Sequence, residues 1–181
     1  MPKRRKLLGL SATTALMAAI GAMLGAAAQA MVSTSVTPAH HTNSPYPTPI
    51  LRSSQKCMNV ALGFTDHHAL IQQYHCDDTD ASAWCVNHIG AGYYEMADKG
   101  SGEYVDVAGG WVGDSVPLQQ HTCHGGHTQQ FRFVPVDGTC VELLTRHSGQ
   151  CVDGSSLDWI PLLQHTCDGG DDQQWELLNF R

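Results

Sequence analysis

The chain has 181 residues, with 17 acidic against 10 basic side chains and a formal net charge of −7. Four of the basic residues, Lys3, Arg4, Arg5 and Lys6, crowd the N-terminus, whereas Arg52, Lys56, Lys99, Arg132, Arg146 and Arg181 are scattered singly. Polyanion binding needs clustered cations that release counterions, so nucleic acid and anionic membrane surfaces are excluded as partners.

In chain order, the basic start is followed by an almost unbroken run of apolar and small residues from Leu7 to Ala28, then Ala28-Gln29-Ala30. A charged start, an apolar stretch and a small-x-small end read as a signal peptide over residues 1–30, so a secreted, extracellular destination is expected. Residues 31–49 are rich in Ser, Thr and Pro and read as a flexible lead-in, with His40 and His41 simply solvated. All seven cysteines follow the expected cleavage point, which makes disulfides the default and leaves at least one thiol unpaired.

From Ile50 the chain repeats itself. Leu118 to Phe131 (LQQHTCHGGHTQQF) and Leu162 to Trp175 (LLQHTCDGGDDQQW) agree at nine of fourteen positions, 44 residues apart. Sliding the frame backwards gives three copies, at about 50–84, 94–131 and 141–175. In each, a basic residue (Arg52, Lys99, Arg146) stands five before a Cys or Tyr (Cys57, Tyr104, Cys151), and Asn59, Asp106 or Asp153 stands two after it. In each, a later Cys (Cys76, Cys123, Cys167) precedes an aromatic (Trp84, Phe131, Trp175) by eight. No apolar stripe of helical period is present; short alternating runs bounded by Gly, Asp and Ser predict an all-β domain of about twelve strands. One copy cannot cover its own apolar face, so three closing on one another are expected over residues 50–181.

Gln173-Gln174-Trp175, with Cys167 eight before the Trp and Cys151-Val152-Asp153 upstream, resembles the ricin B-chain type lectin repeat and its Gln-x-Trp signature. The resemblance implies a β-trefoil of three tandem repeats with pseudo-threefold symmetry. It also implies a structural role for Trp84, Phe131 and Trp175 in the core, with Gln129 and Gln173 satisfying turn backbone groups. Phe131 departs from the Trp of the signature, and the first copy, Ser82-Ala83-Trp84, lacks the Gln. Within the family's pattern, Cys57 would pair with Cys76 and Cys151 with Cys167. Tyr104 occupies the place of a partner for Cys123. Cys85 and Cys140 lie outside the pattern and are available to pair with each other.

The family binds sugars, so a glycan is the implied partner, galactose- or xylose-type among the candidates, held without catalysis by a monomer with weak sites. A shallow sugar site needs a carboxylate for hydroxyl pairs, a ring for the C–H face and amides to complete the hydrogen bonds. Carried over, the second copy offers Asp106, Gln119, His121 and Thr128, with His124 adjoining; it ranks first. The third offers Asp153, His165 and Asp172, with Leu163 where Gln119 stands. The first offers Asn59, Gln72 and Tyr74. His121, Cys123, His124 and His127 also bunch as zinc ligands do, but the same frame in the third copy carries His165, Cys167, Asp168 and Asp171, so neither metal nor cofactor is expected. No nucleophile motif is present. The alternative function is a trefoil that has lost the sugar and serves as a protein-interaction or inhibitor module.

Overall fold

The computed structural model describes residues 46–178. The expected signal peptide and most of the lead-in, including His40 and His41, lie outside the described residues, as do 179–181. Each repeat supplies four strands: β1 (Thr48–Leu51), β2 (Cys57–Val60), β3 (Ile71–Tyr74) and β4 (Trp84–Gly90) from the first. The second contributes β5 (Tyr93–Asp98), β6 (Tyr104–Val107), β7 (Val116–His121) and β8 (Phe131–Pro135), and the third β9 (Cys140–Thr145), β10 (Cys151–Asp153), β11 (Leu163–His165) and β12 (Gln174–Leu178).

The outer strands of each repeat pair antiparallel in the order β1-β12-β9-β8-β5-β4. The Trp84 N–H donates to the Pro47 carbonyl at 3.0 Å and joins β4 back to the start of β1. The inner strands form hairpins β2–β3, β6–β7 and β10–β11. These lock to one another through β11–β7 pairing and the Leu70–Gln119 and Gln72–Pro161 bridges. This closed threefold arrangement is the β-trefoil, in which closure of the outer strands removes the sheet edges that an open sheet would present. β1 begins at Thr48, ahead of the boundary expected at Ile50, with Pro49 opposite Leu177. A proline cannot donate to the ladder, and its presence masked the strand.

Trp84, Phe131 and Trp175 are fully buried and share one core with Leu51, Met58, Ile71, Met96, Leu118, Leu143 and Leu162. The indole N–H groups are satisfied by backbone, Trp84 to the Met58 carbonyl and Trp175 to that of Val152. Gln129 bridges its turn by accepting from the His124 N–H and donating to the Thr122 carbonyl, both at 2.9 Å. Gln173 does the same with the Asp168 N–H and the Thr166 carbonyl. Gly125 and Gly169, the first of each repeated Gly-Gly pair, take φ of 66° and 78°, a region open to glycine at no steric cost.

The repeated basic residue fastens one repeat to the one before it in the closed ring. Arg146 donates to the Gln130 side-chain oxygen, and Arg52 to that of Gln174, each at 2.6 Å. Their backbone N–H groups donate to the carbonyls of the same glutamines. Lys99 keeps the backbone bond, to Ala83, and pairs its amine with Asp80.

Disulfides join Cys57 to Cys76 and Cys151 to Cys167. Closing loops of 19 and 16 residues, each contributes about 3 kcal/mol. Cys85, Cys123 and Cys140 are free thiols, which corrects the possible Cys85–Cys140 pairing. Cys85 lies on β4 and Cys140 on β9, with β5 and β8 between them in the barrel. In a closed ring of six strands these two lie on opposite sides, beyond the reach of a disulfide.

Tyr104 faces His121 across β6–β7 in the register that Cys57 keeps with Tyr74 and Cys151 with His165. Burial pushes the Tyr104 phenol up, and the Cys123 thiol bonded to it adds to the rise. Tyr104→Cys is therefore expected to close a third disulfide with Cys123. A thiol titration of unfolded protein should fall from three reactive thiols to two, and stability should rise by about 2–3 kcal/mol.

Candidate functional site

Three equivalent clusters form where each hairpin meets a loop of another repeat. The buried glutamines Gln73, Gln120 and Gln164, central in the hairpins, organise them. Gln120 donates to the carbonyls of Phe64 and Asp66, and Gln164 to those of Trp111 and Gly113. Gln73 accepts from the Ser155 N–H. The backbone carbonyls of the same three residues accept from the N–H groups of His68, Ser115 and Trp159. Those three residues share a left-handed conformation, with φ of 66°, 63° and 67°. Every repeat thus hands one loop residue to the cluster of its neighbour.

In the first repeat, Asn59 is buried and fixed, its amide donating to Ser82 and its oxygen accepting from Gln72. Tyr74 stands beside Trp159, delivered from the third repeat, with ring centroids 4.3 Å apart, and the His75 ring centroid lies 3.8 Å from that of Tyr74. Trp159 is 52% exposed. Tyr74, Trp159 and Asn59 line an open cleft of about 400 Å³ with Asp77, Asp80 and Asp98. Asp77 organises the cleft's turn, accepting from the Thr79 N–H and the hydroxyls of Thr79 and Ser82. Burial raises the Asp98 carboxyl above its ordinary range despite hydrogen bonds from Ser101 and Gly100.

In the second repeat, Asp106, Gln119, His124 and Thr128 converge. The Asp106 carboxylate accepts from Thr128 at 2.8 Å, from His124 at 2.9 Å and from Gln119 at 3.4 Å. The carboxylate that ranked this copy first is buried and engaged internally, so it presents little acceptor capacity to a ligand. His121 does not meet a bare sugar platform either; His67 and His68 from the first repeat stand against it at ring separations of 5.7 and 5.0 Å. Trp111, 72% exposed, lies in the loop whose Gly110 approaches Thr128.

In the third repeat, Leu163 stands opposite Asp153, and the carboxylate accepts from Gln173 at 2.9 Å. Burial raises the Asp153 carboxyl, with Asp172 and Asp168 adding to the rise and Gln173 and His165 opposing it. His165 faces Asp114 of the second repeat at 3.8 Å. Asp172 lines a shallow depression with Ser53, Gly154, Ser155 and Ser156.

A carboxyl whose folded-state value is raised favours folding most when protonated, and this contribution is lost as pH rises from the ordinary 3.8 through the raised value. Asp153→Asn is therefore expected to melt higher than wild type at pH 7 and to match it below the ordinary carboxylate range. Melting curves across pH 3 to 7 check the sign.

The partner-loop residues Trp159, His67, His68 and Asp114 were not among the expected site residues. A signal existed: His68, Ser115 and Trp159 each stand five before Gln73, Gln120 and Gln164. Because these positions serve a different repeat from the one that encodes them, an alignment of copies alone does not assign them.

A profile for the family described as "Ricin-type beta-trefoil lectin domain-like" matches residues 50–121 and 87–158. No curated protein matches the sequence of this chain. Among solved structures, a designed threefold-symmetric protein, ThreeFoil, is 31% identical with a TM-score of 0.74, covering 76% of this chain and all of its own. An exo-β-1,3-galactanase from Clostridium thermocellum is 26% identical with a TM-score of 0.71; the match covers 75% of this chain and 30% of that one. The Rhizoctonia solani agglutinin shares the fold at 18% identity and a TM-score of 0.65, covering 72% of this chain and 92% of its own. With three interlocked repeats in the structure and the family profile spanning more than half of the sequence, the chain belongs to the ricin-type β-trefoil lectin-like family.

Proposed function

We propose that this protein binds carbohydrate without turnover, and that its working site is the first-repeat cleft between Tyr74 and Trp159. The observation that carries this reading is the pair of rings beside exposed carboxylates: a C–H face of a sugar can pack on the aromatic corner while Asp77 and Asp80 meet its hydroxyls and buried Asn59 backs the cleft. The second and third clusters are weaker sites, the one because Asp106 is internally engaged and the other because Leu163 replaces an amide. Affinity at such an open site is in the high micromolar to millimolar range, about −4 to −6 kcal/mol.

The galactose- or xylose-type glycan remains the expected ligand class. Similarity to a protein named as an exo-β-1,3-galactanase makes β-1,3-galactan the first ligand to test. Export by the N-terminal 30 residues fits the two disulfides, and among the described residues no helix is long and apolar enough to cross a membrane. Affinity electrophoresis through gels of β-1,3-galactan, xylan and arabinan tests the reading. Retardation in at least one supports it; free migration in all overturns it and favours the protein-interaction alternative.

A further inference from the structure

His67, His68 and His121 carry chemistry that the sugar reading does not use. They come from two repeats and meet because Gln120 clamps the loop before Leu70 onto β7. Ring centroids stand 5.0 Å apart for His68 and His121, 5.7 Å for His67 and His121, and 6.4 Å for His67 and His68. Two imidazoles bound through nitrogen to one tetrahedral zinc have centroids about 5 Å apart, given zinc–nitrogen bonds of about 2.0–2.1 Å.

The hydrogen bonds orient all three rings alike. His121 Nδ1 faces the Thr122 carbonyl at 3.1 Å, which can only accept, so this nitrogen carries the proton. His68 Nδ1 faces the Gln119 side-chain oxygen at 3.2 Å; the Gln119 amide is turned this way because its nitrogen donates to Asp106. His67 Nδ1 donates to the Glu103 carboxylate at 3.2 Å. In each neutral ring Nε2 is then left with its lone pair; in His67 the Thr122 hydroxyl lies along the ring edge, 3.1 Å from Nδ1 and 3.3 Å from Nε2. An imidazole with one N–H held by a carboxylate, amide or backbone carbonyl and the other nitrogen bare is the arrangement in which histidine ligates metals. His124 stands apart from the triad: its Nδ1 accepts from the Gly126 N–H and its Nε2 donates to Asp106.

We infer that His67, His68 and His121 form a binding site for a borderline-soft divalent cation such as zinc, with Glu103 and Gln119 as positioning residues. Among the described residues no group of three His, Cys, Asp or Glu side chains stands in ligating geometry, so binding the ion requires the His67 and His68 side chains to shift towards His121, with Glu103 and Gln119 following their rings. His67 and His68 are exposed and have the room to turn. This set shares only His121 with the His121, Cys123, His124 and His127 grouping seen in the sequence, because His67 and His68 enter from another repeat.

The test is a zinc titration of the full chain against a chromophoric chelator, with no glycan present, so that its outcome is independent of sugar binding. One zinc per chain is expected at micromolar concentration. His121→Asn should weaken it at least about thirtyfold, as should His68→Asn, where Asn tolerates the φ of 66°. Glu103→Gln should weaken binding about tenfold through loss of the anchoring carboxylate. Cys123→Ser and the His40→Ala/His41→Ala double variant should bind as wild type does, and circular dichroism should show every variant folded. Absence of zinc binding, or binding that survives His68→Asn and His121→Asn but fails with Cys123→Ser or the His40/His41 variant, overturns the site.

Discussion

Trp175→Ala is expected to destabilise the protein by about 3–5 kcal/mol, the cost of emptying a large, fully enclosed aromatic site. Trp175 is completely buried among core residues drawn from all three repeats, and its indole N–H is tied to the Val152 carbonyl. Ordinary domains have about 5–15 kcal/mol in total, so this single truncation removes roughly a fifth or more of the stability. Trp175→Phe should cost much less, because the second repeat already uses Phe131 in the same position with full burial. Chemical denaturation measures both, and a Trp175→Ala midpoint close to that of wild type would contradict the packing role.

The second large effect falls on ligand binding rather than on stability. Trp159→Ala is expected to weaken glycan binding at least tenfold, about 1.4 kcal/mol, with little change in melting temperature. Half of Trp159 is exposed and its backbone, not its ring, makes the bond that holds the loop to Gln73, so truncation leaves the clamp intact. Alanine at φ 67° adds no β-branch or bulk, although it keeps the strain that the native residue already carries. Tyr74→Ala should weaken binding comparably, since the two rings make one corner. A binding loss accompanied by an equal loss of folded protein would count against a direct contact.

The architecture was legible because its determinants are local and repeated. The aromatic that ends each copy and the turn-bridging glutamines Gln129 and Gln173 recur at fixed spacing after a Cys, since each repeat solves the same packing problem. The recurrent basic residue was visible too, but its role as a fastener was not, because Arg52 and Arg146 act on glutamines of other repeats. The candidate sites were legible only in part. The positions two after Cys57, Tyr104 and Cys151 do reach the clusters, yet what each cluster offers depends on the loop that enters from elsewhere. Trp159 completes the first cluster and His68 crowds His121 in the second, whereas the Asp106 carboxylate is occupied by Thr128, His124 and Gln119 of its own repeat, contacts that spacing does not show. The start of β1 was missed at a proline, and the fate of Cys85 and Cys140 depended on barrel order, a long-range property that spacing does not carry.

The central claim is that one aromatic-lined cleft, built jointly by the first and third repeats, does the binding. Calorimetric titration of the wild-type protein and of Trp159→Ala with the oligosaccharide of whichever glycan retards it, galacto-oligosaccharide first, tests this most directly. The account predicts one dominant site per chain, lost on Trp159→Ala while the His121→Asn variant binds as wild type does. Binding that is unaffected by Trp159→Ala and abolished by His121→Asn would contradict it.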